Sequence, residues 1–325
     1  MLVEVSRDLY RRHFPVDLNP YISEDFVELV KGKVDRVVRL MKRDDNSIGL
    51  VAGIKDNIVR APFSAPFAGF HYSHEHLSYD VIENFLLKLK TYVVDNNLNG
   101  ITITLPPDLY QTNMNAKCIN AFYRLGYKML TPEIINWIDL TKFDGNWVKN
   151  TVAQNYRKAI NNNLSFNVVT DEQSINDVYE IIFRNREVQG RKIHMSLNDI
   201  IKVNTVIPVD FFLVKNIKGK KMGAGVFYRG HDKIAQGVFV GDDMENRSLG
   251  IMDLLYSNIY NFYKKLGYNA IDLGTSGVDG EPNIGLIRFK EIHNCAASLK
   301  FTFSWSPDIT DNLRKDKEHK HLKLN

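Results

Sequence analysis

"GIMDLLYSNIYNFYKKLGYNAIDLGTS", residues 250–276, carries the plainest structural message in the chain. Ile251, Leu255, Ile259, Phe262 and Leu266 step by four, four, three and four residues, the period of one helix face. Gly267 follows in the place past a helix end where glycine takes a left-handed backbone without steric cost. "NAIDLGTS" then reads as a strand. Immediately upstream, "DFFLVKN", "MGAGVFYRG" and "IAQGVFVGD" are joined by the turns "IKGKK" and "GHDK", a meander of hairpin-linked strands. Downstream, "NIGLIRFKEIH" reads as a helix and "SLKFTFSW" as a final strand.

Further upstream, "VKNTVAQNYRKAINNN" is a basic helical stretch that stops in three asparagines, and "LSFNVVTD" alternates as a strand. "SINDVYEIIFRNREVQG" opens with Ser174 and has Asp177 three residues on, a capping-box pattern. "SLNDIIKVN" repeats the device with Ser196 and Asp199. The second half is therefore strand, two helices, three antiparallel strands, helix, strand, helix, strand.

The first half begins with a short helix near "EDFVELVKG". "DRVVRLMKR", "SIGLVAGIK" and "NIVRAPF" follow as antiparallel strands punctuated by Asp and Asn. In "SYDVIENFLLKLKTYVVDNN", Val81, Phe85, Leu89 and Val93 recur every four residues, an amphipathic helix. "ITITLPP" is a strand ended by prolines, "NAKCINAFYRL" a helix, and "YKMLTPEIINWIDL" closes the half as one or two strands. "TKFDGNW", polar and without period, reads as the boundary. The expected divisions are residues 1–147, 148–308 and a charged tail at 309–325. The halves close on the same order of elements, which implies two copies of one α/β unit. "FYRLGY" at 122–127 and "FYKKLGY" at 262–268 look alike but end non-equivalent helices in that scheme.

A chain of 325 residues with 44% hydrophobic and 25% charged residues has an ordinary globular composition. It contains no run approaching the roughly 18 apolar residues of a membrane span, and its N-terminus is charged where a signal peptide is apolar. Cys118 and Cys295 make no metal motif and fit a reducing compartment, so the expected location is cytoplasmic. The net charge of +4 is too small to imply a nucleic-acid surface by itself.

The order of elements resembles the GNAT superfamily of N-acyltransferases, and most closely the tandem version found in Fem-type (FemAB-like) peptidyltransferases. The likeness covers most of the chain and is best in residues 150–305. "NYRKAINNN" stands where the family has a basic helix before the first strand of its second unit. "GYNAIDLGTS" followed by "GLIRFKEIH" is similar to the family's Asp-x-Gly strand ending and its helix with a Phe-Lys pair. "PFSAPFAGF" resembles the Pro-Phe and Gly-rich segment of the first unit. The resemblance implies an α/β (α+β) fold of two GNAT-like domains with mixed central sheets and flanking helices. It further implies acyl transfer from acyl-CoA or aminoacyl-tRNA to an amine acceptor, a small amine or a cell-envelope precursor, with no bound cofactor.

In that arrangement two neighbouring strands splay and expose backbone groups to the pantetheine arm of coenzyme A, whose pyrophosphate sits on a helix N-terminus. The corresponding corner is "GVFVGDDMENRSLGI", so the resemblance assigns the donor to Val238, Phe239, Val240, Arg247, Ser248, Leu249, Gly250 and Ile251. The family signature Gln/Arg-x-x-Gly-x-Gly/Ala reads here Arg247-Ser248-Leu249-Gly250-Ile251-Met252, with Met252 in place of a small residue. Asp272 lies between Ile271 and Leu273 on a strand, and alternation turns it to the other face as a candidate base. Lys290 matches the Phe-Lys lysine and is the candidate for a phosphate or oxyanion contact; a solvated helix charge is the plainer account. Tyr156, Arg157 and Arg288 are candidates for an anionic acceptor, and Glu281 is a weaker base candidate. "HYSHEH", with His71, His74 and His76, lacks the spacing of a metal motif, and no metal is expected. Trp147 and Trp305 read as packing residues. The competing class is a non-catalytic binding protein with a degenerate donor site, which Met252 favours.

Overall fold

The computed structural model describes residues 1–43, 45–74, 76–230 and 233–307; the expected tail at 309–325 and half of the "GHDK" turn lie outside these. The chain forms two compact units. One comprises Met1–Glu133 together with the chain from Leu299 onward, and the other Ile134–Ser298.

The first unit contains β1 (Leu2–Glu4), α1 (Arg7–His13), α2 (Glu24–Val30), β2 (Arg36–Lys42), β3 (Asp45–Lys55), β4 (Ile58–Ala61), β5 (His71–Tyr72), α3 (Tyr79–Asp95), β6 (Gly100–Thr104), α4 (Asp108–Arg124) and β7 (Lys128–Met129). Then come β8 (Glu133–Asp139), α5 (Asn150–Asn161), β9 (Ser165–Val169), α6 (Glu172–Val188), α7 (Leu197–Val203), β10 (Val209–Lys215), β11 (Lys221–Arg229) and β12 (Ile234–Asp242). A 3₁₀ turn over Met244–Leu249 leads into α8 (Ile251–Lys265) and β13 (Ala270–Thr275). The small hairpin β14 (Gly277–Val278) and β15 (Glu281–Pro282), α9 (Ile284–Ile292), β16 (Ala296–Lys300) and β17 (Thr302–Trp305) complete the described chain. Strand β1 and helix α1 are absent from the sequence reading, because three residues and two turns are too short for a period to appear.

The first sheet runs β1-β2-β3-β4-β6-β17-β7, with β5 paired to β3, and the second runs β9-β10-β11-β12-β13-β8-β16. The two orders match position for position, so the expected repeat is present in the architecture. Each contains a parallel pair at the same place, β4 with β6 and β12 with β13. The sixth position of each sheet is filled from elsewhere in the chain: β17 enters the first sheet between β6 and β7, and β8 enters the second between β13 and β16. This corrects two expectations. "YKMLTPEIINWIDL" and "SLKFTFSW" each split into two strands that belong to different sheets. The division expected after Trp147 consequently falls inside the second unit, since β8 pairs antiparallel with β13 from Ala270↔Asp139 to Thr275↔Ile135.

Helix ends follow from sequence. Helices α3, α4, α8 and α9 close the same way, with Asn97, Gly126, Gly267 and Asn294 at positive φ. In each, the next N–H returns to a carbonyl five residues back, as in Tyr127 to Phe122 and Tyr268 to Tyr263. "FYRLGY" ends α4 and "FYKKLGY" ends α8, which occupy different places in the repeat. The Ser196–Asp199 capping box on α7 is present. The one expected at Ser174 is not: α6 starts two residues earlier at Glu172, and the cap is Asp171, whose carboxylate accepts from Ser174 N. Asp177 is instead buried and paired with Lys221 at 2.7 Å.

The second unit's core gathers Ile251, Leu255 and Ile259 of α8 with Phe212, Phe227 and Tyr263. The predicted stripe holds up to Phe262, while Leu266 is exposed at the helix end. Among the described residues no helix is long and apolar enough to cross a membrane.

Candidate functional site

Strands β12 and β13 pair only at Ile234↔Ala270, Ala235↔Ile271 and Gln236↔Asp272. Beyond that rung they part. A bulge in β12 at Val238, between the Val226↔Phe239 and Phe227↔Gly237 pairs, adds local bend. A second irregularity interrupts β13 between Asp272 and Thr275 where it pairs with β8. The result is an opening bounded by Gly237–Asp242 on one side and Leu273–Thr275 on the other. Val238, Phe239 and Val240 line the β12 side and are half-buried.

Gln236 and Asp272 stand at the closed end of this opening, with Gln236 Nε2 donating to Asp272 Oδ2 at 3.2 Å. Asp272 is 1% exposed and also accepts from Gly274 N at 2.8 Å. Ile271 and Leu273 are buried as well, so strand alternation does not separate a wet face from a dry one here. The strand is covered on both faces, as strands beside parallel neighbours are.

Lys290 is 2% exposed, so it is not the solvated helix charge of the plainer account. Its ammonium donates to the carbonyls of Leu273 (2.8 Å), Gly274 (3.0 Å) and Thr275 (3.3 Å) and to Ser276 Oγ (2.8 Å). Ser276 Oγ in turn bonds Asn136 Oδ1 of β8 at 2.5 Å. The lysine thus clamps the end of β13 in its departed position. Burial, only partly offset by Cys295 and Asp272, pulls its pKa down to about 8.

Arg247 is not free at the corner. Its guanidinium is bidentate to Asp242, Nε–Oδ2 2.7 Å and Nη2–Oδ1 2.8 Å. Asn185 of α6 donates to the same carboxylate at 2.8 Å and to the Asp242 carbonyl at 2.9 Å. Gly250 carries φ +77 at the start of α8, and a Cβ there would strike Asn155 of α5, 2.8 Å from its carbonyl carbon. The glycine therefore admits the backbone of α5, and that helix occupies one side of the approach to the α8 N-terminus. Ile251 is buried beneath Gly223, and Met252 packs partly against the core.

The remaining candidates lie apart from this network. Tyr156 packs on the second unit's core, whereas Arg157, Arg288 and Glu281 are exposed. Trp147 packs against Phe143, Tyr260 and His293. His71 is buried and bonded to Tyr10 Oη at 2.9 Å and Asp17 Oδ1 at 3.2 Å. His74 accepts from His76 N. Among the described residues no three His, Cys, Asp or Glu side chains are grouped to hold a metal ion. The sequence reading passed over Gln236, Asp242 and Ser276; the one available signal was the polarity of each at an otherwise apolar strand or its end.

No family model matches the chain, and no curated protein does. Solved structures do. FemX superposes with a TM-score of 0.66 at 12% identity, over 94% of this chain and 97% of that one. The C-terminal domain of a putative lysylphosphatidylglycerol synthetase from Agrobacterium fabrum gives 0.58 at 13%, over 96% and 97%. A tandem GNAT protein from the clavulanic acid biosynthesis pathway gives 0.56 at 12%, over 94% and 98%. The fold is therefore a Fem-like tandem GNAT fold, as the resemblance implied.

Proposed function

We propose that the chain is an N-acyltransferase whose activated donor, an acyl-CoA thioester or an aminoacyl-tRNA ester, enters the opening between β12 and β13. The observation that carries this reading is the loss of pairing after Gln236↔Asp272. It leaves the β12 edge without a strand partner, and an extended donor arm is the natural complement of such an edge. The carbonyls at the end of β13 are held by Lys290, so the donor bonds β12. Acyl transfer forms a C–N bond, breaks the C–S or C–O bond and releases the amine proton. Asp272, the buried carboxylate at the closed end of the opening, is assigned to receive it, and the Lys290 ammonium at the end of β13 is assigned to the field on the developing oxyanion.

The acceptor is an amine, on a small molecule or a cell-envelope precursor. Purified chain incubated with acetyl-CoA, or with charged tRNA, and an amine-bearing envelope precursor is expected to consume donor in step with acceptor. The second reading, a binding protein with a degenerate donor site, draws on Arg247 being bonded to Asp242. It requires donor binding without turnover. No binding and no turnover with either donor would defeat both readings.

A further inference from the structure

Helices α6 and α8 lie on opposite faces of the second sheet. Gly223 and Gly225 of β11 present their Cβ positions to Ile251 and Ile259 of α8. Gly241, opposite Ala224, faces Ile182 and Asn185 of α6. Asn185 is anchored to Asp242 at the end of β12. The next residue, Arg186, is therefore held at the parted half of that strand. Its guanidinium is half-buried and has no hydrogen-bond or ion-pair partner among the described residues.

Tyr256 approaches from α8. It is 2% exposed, and its ring packs on Phe289 of α9 at 5.3 Å and on His293, just past that helix, at 5.4 Å. Its hydroxyl also has no hydrogen-bond partner among the described residues. The two groups sense each other although they come from opposite faces. Burial lowers the pKa of Arg186, Arg191 lowers it further, and Tyr256 opposes both. Burial raises that of Tyr256, and Arg186 opposes it. A continuous sheet would stand between them; here β12 and β13 have separated.

We propose that Arg186 and Tyr256 form a phosphate-binding subsite at the opening between β12 and β13, with Arg191 supplying a second positive charge. The proposal rests on the reading of that opening as the substrate site and specifies the anionic part of the substrate. Guanidinium and phenol are both hydrogen-bond donors to phosphoryl oxygens, and among the described residues no carboxylate pairs with either. Two arginines match a doubly charged phosphate better than a singly charged carboxylate. Burying a guanidinium without a partner is costly, and a bound anion removes that cost. Arg247, the alternative phosphate ligand, is already bonded to Asp242.

Titration of inorganic pyrophosphate into the full chain, followed by calorimetry, tests the subsite. Binding should weaken about tenfold or more in Arg186→Met and roughly threefold to tenfold in Tyr256→Phe, the sizes expected for a charged and a neutral hydrogen bond. Arg184→Met, on the exposed face of α6, should bind as wild type. Should Arg186→Met fail to fold, Arg186→Lys keeps the charge without the fork and should still lose several-fold. Wild-type affinity in both Arg186 variants and in Tyr256→Phe, or no binding by wild type, overturns the proposal. Displacement of pyrophosphate by coenzyme A assigns the phosphate to the donor, and displacement by a nucleoside diphosphate sugar assigns it to the acceptor. Displacement by neither removes the subsite from substrate binding. Because binding is read without acyl transfer, a failed transfer assay leaves the subsite standing, and a failed titration leaves the transferase reading standing.

Discussion

Replacing Lys290 with methionine is expected to lower turnover about tenfold or more while the chain still folds. The ammonium satisfies three carbonyls and one hydroxyl at the end of β13, from 2.8 to 3.3 Å. Methionine has similar length and no donor. Each orphaned buried acceptor costs on the order of 1–3 kcal/mol, and the strand end relaxes to recover part of it. A net loss of about 3 kcal/mol lies within the usual 5–15 kcal/mol of a domain. The relaxation is what harms function, since an acyl carbonyl displaced by about 1 Å forfeits roughly two orders of magnitude in rate. Turnover equal to wild type in a folded variant would remove Lys290 from the site. The same residue sets a pH dependence. In the folded chain it loses its proton near pH 8, whereas in the unfolded chain it keeps it to about its ordinary 10.5. Between those values the unfolded state binds more protons, so stability rises with pH. The burial cost is fully present below pH 8 and is relieved by 10.5, a gain of about 3 kcal/mol. Because other groups titrate in that window, the readout is the difference in unfolding free energy between wild type and Lys290→Met, which lacks this slope. A parallel pair of curves would mean that the lysine keeps its ordinary pKa.

Gly250→Ala is expected to destabilise the chain by about 3 kcal/mol or more. A residue with a Cβ in the left-handed region costs roughly 1 kcal/mol. The added methyl must then displace α5, because it lands on the Asn155 backbone and not on a flexible side chain. The loss should appear as a lower denaturation midpoint with little change in slope. A loss below about 1 kcal/mol would mean that α5 can retreat from the α8 N-terminus, and a phosphate could then approach Gly250 as well.

Local signals carried most of the second unit. The stripe on α8, its glycine stop and the three hairpin strands are properties of neighbouring residues, and they fold as read. Strand partnership is not local. Nothing in "YKMLTPEIINWIDL" says that Lys128–Met129 and Glu133–Asp139 join different sheets, and the break between Lys300 and Thr302 is equally silent. Arg186 escaped for a related reason, and Lys290 was singled out by the resemblance and not by its surroundings. Each is a cation among polar neighbours on a helix, the usual appearance of a solvated face. Only the position of the helix against β12 and β13 buries them. Asp272 was singled out as a polar residue on an apolar strand, and it is buried there. Its engagement with Gln236 and Gly274 depends on which strand lies beside it. At the corner signature the resemblance assigned Arg247 to the donor site, and the arginine is bonded to Asp242, five residues earlier.

The central claim is that the opening between β12 and β13 is the donor site of the chain. A crystal structure with a non-transferable acyl-CoA analogue, and a parallel one with a hydrolysis-resistant aminoacyl-adenosine, measures it most directly. The account predicts donor density along Gly237–Val240, with its acyl end towards Asp272. Density in the first unit beside Ser78 at the start of α3, with the opening left empty, would contradict it.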